Sequence, residues 1–470
     1  MYQQTRPLLL RRLLADRRGN VLMLMGFAIV PLTFSTGMAI DYTQASRLQT
    51  KLNAVADAAA LAAVTEPMMH RTKDEAAVAA LNMFQSQSTG LKGLRYTVTA
   101  PRVTITATSS TYDYGALKVV ITQSDASGLD RTAVVSYAAA SANAFAGILG
   151  MATLSIKGSS TTTAKIAPNI DFYVMLDVSS SMALPTTTAG IDFMKSKTKR
   201  FPDDAGNTKR VDNPNGCAFA CHQSNPDNPA IKNAAGTIID YYTYAHLNGY
   251  ELRIDAGKRA IVDMMTKAQQ KSTVNQADYR FAMSTFSRAS DFKEVLKLPL
   301  NGGPMDYPTG KTQVGTAQTV AVAMHAHHYD RQTEHADSMI KQQAIMPTTP
   351  GLGTDRADDK PQAMMFLITD GMRDEERSGR QMGAMPEDQC TAIKARGIRI
   401  AVLYTTYQPE SVNYDSWSVR EIIPRLPTLS PALQRCATPG LFFQVSTDEN
   451  ISSALAALFD KAIATARITN

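Results

Sequence analysis

The sequence predicts an α/β fold: a doubly wound, mainly parallel sheet, preceded by one long apolar helix and a small α+β region. Three observations predict it. From Asn169 onward, short apolar runs alternate with helical stretches, the pattern of a parallel sheet covered on both faces. Between Tyr96 and Ala140 the apolar period is two, and residues 19–40 carry no charge. At 470 residues, 44% hydrophobic and 19% charged, the chain has room for two or three domains. That composition excludes a disordered chain and a multi-span membrane protein.

The N-terminal tail, 1–18, holds Arg6, Arg11, Arg12, Arg17 and Arg18 against Asp16. It supplies four of the six net positive charges, so no basic stripe remains to indicate a nucleic-acid partner. The uncharged run "GNVLMLMGFAIVPLTFSTGMAI" (19–40) is long enough to span a bilayer as one helix, and Pro31 is tolerated there. The preceding arginines place the N-terminus in the cytoplasm and the bulk of the chain outside. The rival reading is a cleavable signal peptide, whose apolar region is usually shorter and followed by a small-residue site that "TGMA" matches loosely.

Beyond the run, Leu48, Leu52, Val55, Ala59 and Ala62 recur at helical spacing, so the same helix continues outward. A second helix is expected over Lys73–Gln87. Strands follow in "YTVTAPRVTITATSS", "ALKVVITQS" and "TAVVSYAAA". This region, 41–167, has the general plan of pilin-like subunits, and a boundary is expected near Pro168.

In the last region, 168–470, strands are expected at "DFYVMLD", "YRFAMSTFS", "EVLKLPL" (a short edge strand), "AMMFLITD", "IRIAVLYTT" and "GLFFQVS". Helices are expected at "IDAGKRAIVDMMTKAQQ", "TQVGTAQTVAVAMHAHH" and "ISSALAALFDKAIATA". A stretch of about 70 residues, 183–252, separates the first strand from the next helix, far more than a direct βα loop needs, and reads as an insertion. The four cysteines suit an oxidising compartment, and three pairings are possible; proximity favours Cys217–Cys221 and Cys390–Cys436. "CAFACH" has three residues between its cysteines, where haem attachment has two.

The first strand ends in Asp177, Ser179 and Ser181, and another ends in Asp370 before Gly371. Thr312 opens a helix between them. Two carboxylates and three hydroxyls make an all-oxygen donor set, which suits Mg²⁺ or Mn²⁺ rather than zinc. A single D-x-S-x-S reads equally well as a helix cap; three such pieces at successive element ends do not. Ser179 lies outside any G-x-S-x-G motif, and no base is placed for it, so no enzyme activity is expected. His325, His327, His328 and His335 read as a solvated polar helix face.

D-x-S-x-S after a first strand, G-x-T before a helix and T-D-G after a buried strand resemble the von Willebrand factor A domain. The resemblance implies a metal-ion-dependent adhesion site. Ser179, Ser181 and Thr312 would be direct ligands, Asp177 and Asp370 would act directly or through water, and a partner's carboxylate would complete the shell. Gly310-Lys311-Thr312 departs from the usual two glycines before the threonine, which leaves Thr316 as the alternative. Nearly the whole chain, from "DRRGNV" through "DYTQASRLQTKLNAVADAAALAAV" and the metal-site strand to the A domain with its insertion, resembles TadG-like proteins of the Tad (Flp) pilus machinery. That resemblance implies a bacterial inner-membrane, single-pass component with its bulk in the periplasm, binding pilus-assembly proteins or pseudopilins through an acidic side chain. A surface adhesin using the same site is the alternative. Gly19 is followed five residues on by Leu24 rather than Glu, so prepilin-peptidase processing is not expected.

Overall fold

The computed structural model describes residues 20–466, apart from 107, 124–128, 203–209, 213–214, 227, 229–230, 323–332, 355–358, 377–378, 408 and 414–415. The basic tail, His325, His327 and His328 therefore lie outside the described residues. The chain divides into two compact units, which part between Ile166 and Ala167.

The first unit is built on α1 (Asn20–Ala62), a 43-residue helix with Pro31 inside it. Among the described residues one helix, from Val21 to Ala62, is long and apolar enough to cross a membrane, with a mean hydropathy of 1.8 over its most apolar stretch. Its first half is exposed; from Ala45 on, Leu48, Leu52, Val55 and Ala59 are buried in the unit's core. Helix α2 (Lys73–Ser88) opens with a reciprocal cap between Thr72 and Glu75. The sheet comprises β1 (Leu94–Arg95), β2 (Val98–Ile105), β3 (Ser109–Gly115), β4 (Leu117–Thr122), β5 (Asp130–Ala142) and β6 (Thr153–Lys165). Its order is β1-β5-β4-β3-β2 with β6 also on β5, and every pairing is antiparallel. Tyr137 on β5 donates its hydroxyl to Asn53 Oδ1 at 2.7 Å, tying sheet to helix. The fully buried Arg131 guanidinium donates through Nη1 and Nη2 to the Met68 and Arg71 carbonyls, both at 2.7 Å, so a buried charge held by main-chain acceptors fixes the turn after α1.

The second unit is a six-stranded sheet of β7 (Ile170–Asp177), β8 (Tyr279–Phe286), β9 (Lys293–Leu296), β10 (Gln362–Thr369), β11 (Arg399–Thr405) and β12 (Phe442–Val445). Its order is β9-β8-β7-β10-β11-β12; only the β8–β9 pair is antiparallel. All eight residues of β7, of β8 and of β10 are buried, which is why these strands read as largely apolar runs, the charges within them, Asp171 and Arg280, being paired to each other. Phe172, Val174 and Leu176 face one core with α5 (Arg253–Asn275) and α10 (Ile451–Ala466). Tyr173 and Met175 face the other with α7 (His335–Ile345), α8 (Asp388–Ala395) and α9 (Leu426–Cys436). The Cys390–Cys436 disulfide joins α8 to α9. The 183–252 stretch carries α3 (Thr188–Lys197) and α4 (Tyr241–Leu247), and its root is clasped by a bridge between Pro185 and Leu252. Its described residues pack as part of the unit: Tyr241, Tyr242 and Ala245 enter the core beneath β7, and Cys217 and Cys221 are buried without forming the expected disulfide with each other.

One predicted helix is displaced. Instead of spanning 312–328, α6 runs from Tyr307 to Gly315, started by Asp306, whose side chain accepts from the Thr309 amide. Past Gly315 the backbone leaves the helix, because Val320 N bonds Val178 O at 2.9 Å and Val322 N bonds His222 O at 2.8 Å.

Candidate metal centre at the strand tips

Strand order reverses between β7 and β10: the chain moves from β7 to β8 on one side, then crosses to β10 on the other. Beyond the C-terminal ends of strands at such a switch point, loops splay apart and leave a crevice. Asp177 ends β7 and Asp370 follows β10, so both carboxylates stand at this crevice, and both are fully buried.

The Asp177 carboxylate is saturated by its own loop and its neighbouring strand. Oδ1 accepts from the Ser179 amide at 2.9 Å and the Ser179 hydroxyl at 2.6 Å; Oδ2 accepts from Thr369 Oγ1 at 2.6 Å. Ser179 Oγ also lies 2.9 Å from Ser181 Oγ. With its proton spent on Asp177, Ser179 keeps lone pairs for a further partner. Asp370 differs: Oδ2 accepts from Tyr407 at 2.7 Å and has Arg253 Nη1 at 3.8 Å, while Oδ1 is buried without a hydrogen bond. Burial holds both carboxyls above the usual range; Asp370 pushes Asp177 up further, whereas Arg253, Ser181 and Tyr407 pull Asp370 back.

Thr312 is not brought to this group. It is exposed on α6 and its hydroxyl donates to Pro308 O at 3.1 Å, while Thr316 caps the same helix through Gln313 O at 2.7 Å. A hydroxyl that the sequence reading did not consider is that of Thr319. Its neighbour Val320 is hydrogen-bonded to Val178 between the two site residues Asp177 and Ser179. Thr319 is 3% exposed and its Oγ1 has no hydrogen-bond partner. Arg253 and Tyr407 were missed as well, the guanidinium lying 4.9 Å from the Tyr407 ring centre. His335, expected on a solvated face, is fully buried with Nε2 3.3 Å from Thr369 Oγ1. Burial and Arg373 press its pKa down to about 3.

Among the described residues no three His, Cys, Asp or Glu side chains cluster as a metal site. The donor set here is two carboxylates and the Ser179 and Ser181 hydroxyls, and one of its buried oxygens, Asp370 Oδ1, lacks a hydrogen bond. Leaving buried acceptors unsatisfied is costly, and a hard cation would satisfy them, so the residues present fit Mg²⁺ or Mn²⁺.

Residues 19–66 match the family model of TadE/G-like proteins of Flp pilus assembly. No curated protein matches the chain. Among solved structures the chain is similar to proximal thread matrix protein 1 from the mussel byssus, determined with a zinc-occupied MIDAS motif. Identity is 14% over 63% of this chain and 48% of that one, with a TM-score of 0.31. It is similar to the pilus adhesin SpaC of Lactobacillus rhamnosus GG in its open conformation, at 9% identity over 75% and 34%, TM-score 0.33. It is similar also to the PilB minor pilin of Streptococcus sanguinis, at 12% identity over 75% and 77%, TM-score 0.31. The chain thus spans about half the length of the first and a third of the second.

Proposed function

We propose that the chain is a non-enzymatic, membrane-anchored component of an Flp-type pilus-assembly apparatus, gripping a partner protein through a divalent cation at the β7 and β10 tips. The match over 19–66 supports the apparatus, and the uncharged helix preceded by arginines supports an inner-membrane anchor with the bulk of the chain in the periplasm. The observation that carries the binding mode is the buried Asp370 Oδ1 left without a hydrogen bond at the sheet's switch point.

Ser179, Ser181, Thr319 and Asp370 would hold the ion, with Asp177 orienting Ser179. Asp177 and Asp370 bring two negative charges and Arg253 returns one positive charge. A bound divalent ion therefore leaves the site net positive and short of an anionic ligand, which an Asp or Glu of a pilus protein supplies. A hydrolytic role lacks support, since the Ser179 hydroxyl donates to a carboxylate held by hydrogen bonds and has no histidine partner among the described residues.

Counting surface pili tests this on cells carrying wild-type, deleted, or Asp177→Asn/Ser181→Ala protein at equal levels. Loss of pili in both altered strains is expected. Pili on the deletion strain sink the assembly role; loss in the deletion alone sinks the metal-bridged contact.

A further inference from the structure

The hairpin β5–β6 lies along α1 with its tip toward the apolar end of the helix. Going outward along α1, Gly37 is so close to Phe145 that a Cβ there would meet its ring at 2.6 Å. Asp41 next accepts the amides of Ala144, Phe145 and Ala146 at 2.8, 3.0 and 2.7 Å. Gln49 then bonds Lys157 O at 2.8 Å, and Asn53 meets Tyr137. The tip, 143–152, is therefore level with the last turn of the uncharged run and the first acid after it.

That tip is apolar and open: Ile148 is 74% exposed, Met151 53% and Leu149 51%. No charged residue occurs between Arg131 and Lys157. Single exposed apolar side chains are ordinary on a protein surface, but three on one tip beside an apolar helix form a patch.

The backbone of the tip is closed on itself as well. Besides the three amides held by Asp41, Gly150 N bonds Gly147 O at 3.1 Å, Met151 N bonds Ala146 O at 3.0 Å, and Asn143 N bonds Ala152 O at 3.0 Å. Asn143 Nδ2 takes up Met151 O at 3.0 Å. A loop meeting water has no need to satisfy its amides with a carboxylate from a helix 103 residues away in sequence. A loop entering lipid does, because lipid offers no partners.

We infer that the 143–152 tip inserts Ile148, Leu149 and Met151 into the outer leaflet of the bilayer beside α1, as a second membrane contact. This rests on the reading of α1 as a membrane anchor. At a rise of about 1.5 Å per residue, Gly37 sits roughly 5 Å inside the end of the uncharged run, within the depth of about 5–10 Å that interfacial apolar groups reach. The helix then leaves the membrane braced at one angle, with Asp41 as the pivot between lipid and periplasm.

The test uses the full chain in phosphatidylethanolamine–phosphatidylglycerol vesicles whose acyl chains carry bromine near the glycerol end or near the methyl end. The sequence has one tryptophan, so Trp417→Phe clears the background. Into it go Ile148→Trp, Leu149→Trp or, as the depth reference, Phe27→Trp; all three positions are exposed. Ile148→Trp and Leu149→Trp are expected to fluoresce blue-shifted and to be quenched at least about twofold more by shallow than by deep bromine, as an interfacial depth requires. Phe27→Trp should show the opposite preference. Quenching of Phe27→Trp with none at the two tip positions overturns the inference and leaves the anchor standing; a blue shift without quenching assigns the tip to a protein partner or a second copy and overturns it equally. No quenching at any of the three overturns the anchor reading itself.

Discussion

Thr369 Oγ1 donates to Asp177 Oδ2 at 2.6 Å, and this bond joins the two parallel strands between which the strand order reverses. The same hydroxyl accepts from Gly371 N at 3.0 Å, so the two strand tips are locked to each other by the fold itself. On the proposed reading Asp177 is an orienting group for Ser179, and Ser179, Ser181, Asp370 and Thr319 would offer their oxygens to a cation.

The first prediction separates the two threonines. Calorimetric titration of the full chain in detergent with Mn²⁺ should show Thr319→Val weakening the ion by about tenfold or more, the scale on which groups supporting a metal site act. Thr312→Val should leave affinity unchanged, because its hydroxyl serves only Pro308. The reverse ranking returns Thr312 to the site and removes Thr319.

The contrast between these threonines shows what a sequence discloses. β7, β8 and β10 were legible because burial on both faces favours apolar residues at most positions, and Asp177 and Asp370 were legible as polar residues at the ends of such runs. Thr319 was not: its place depends on Val320 bonding a carbonyl 142 residues away, a pairing that leaves no local pattern, while "TQVGTAQTVAVA" keeps helical spacing past the point where the helix stops. Arg253 was hidden in the same way, as the first residue of an ordinary amphipathic helix whose charged partner lies on another loop. His335 sits in a polar stretch, yet tertiary packing against Phe286 buries it.

Arg253 sets a second prediction. Its guanidinium lies 3.8 Å from Asp370 and repels any cation bound there. Arg253→Gln should tighten Mn²⁺ binding several-fold, and should lower the melting temperature in chelator, since Asp370 is then a buried charge with less compensation. Weaker Mn²⁺ binding by a folded Arg253→Gln chain would show that the guanidinium builds the site rather than competing with the ion.

The Cys390–Cys436 bond closes a loop of 46 residues between two helices packed on one face of the sheet. On the chain-entropy account, a loop of that length is worth about 4 kcal/mol. Cys390→Ser/Cys436→Ser, compared with wild type by urea denaturation, should lose stability on that scale and keep its far-UV spectrum. A loss below about 1 kcal/mol would place the constraint in contacts that survive without the bond.

His335 predicts an acid limb to stability. Its unfolded pKa is near 6.5 and its folded value about 3, so between these the unfolded chain carries a proton that the native chain excludes. The stabilisation is complete above pH 6.5 and is lost as pH falls toward 3, with a slope of up to about 1.4 kcal/mol per pH unit from this one group. Asp177 and Asp370, both raised, act in the opposite sense, so wild type alone cannot isolate the histidine. The comparison is with His335→Gln, which keeps a side-chain donor for Thr369 and removes the titration. Urea midpoints measured from pH 7 to pH 4.5 should fall more steeply for wild type than for His335→Gln. Parallel curves would mean that the imidazole charges within the fold, and that the pocket formed by Phe286, Thr369 and Arg373 opens to admit water.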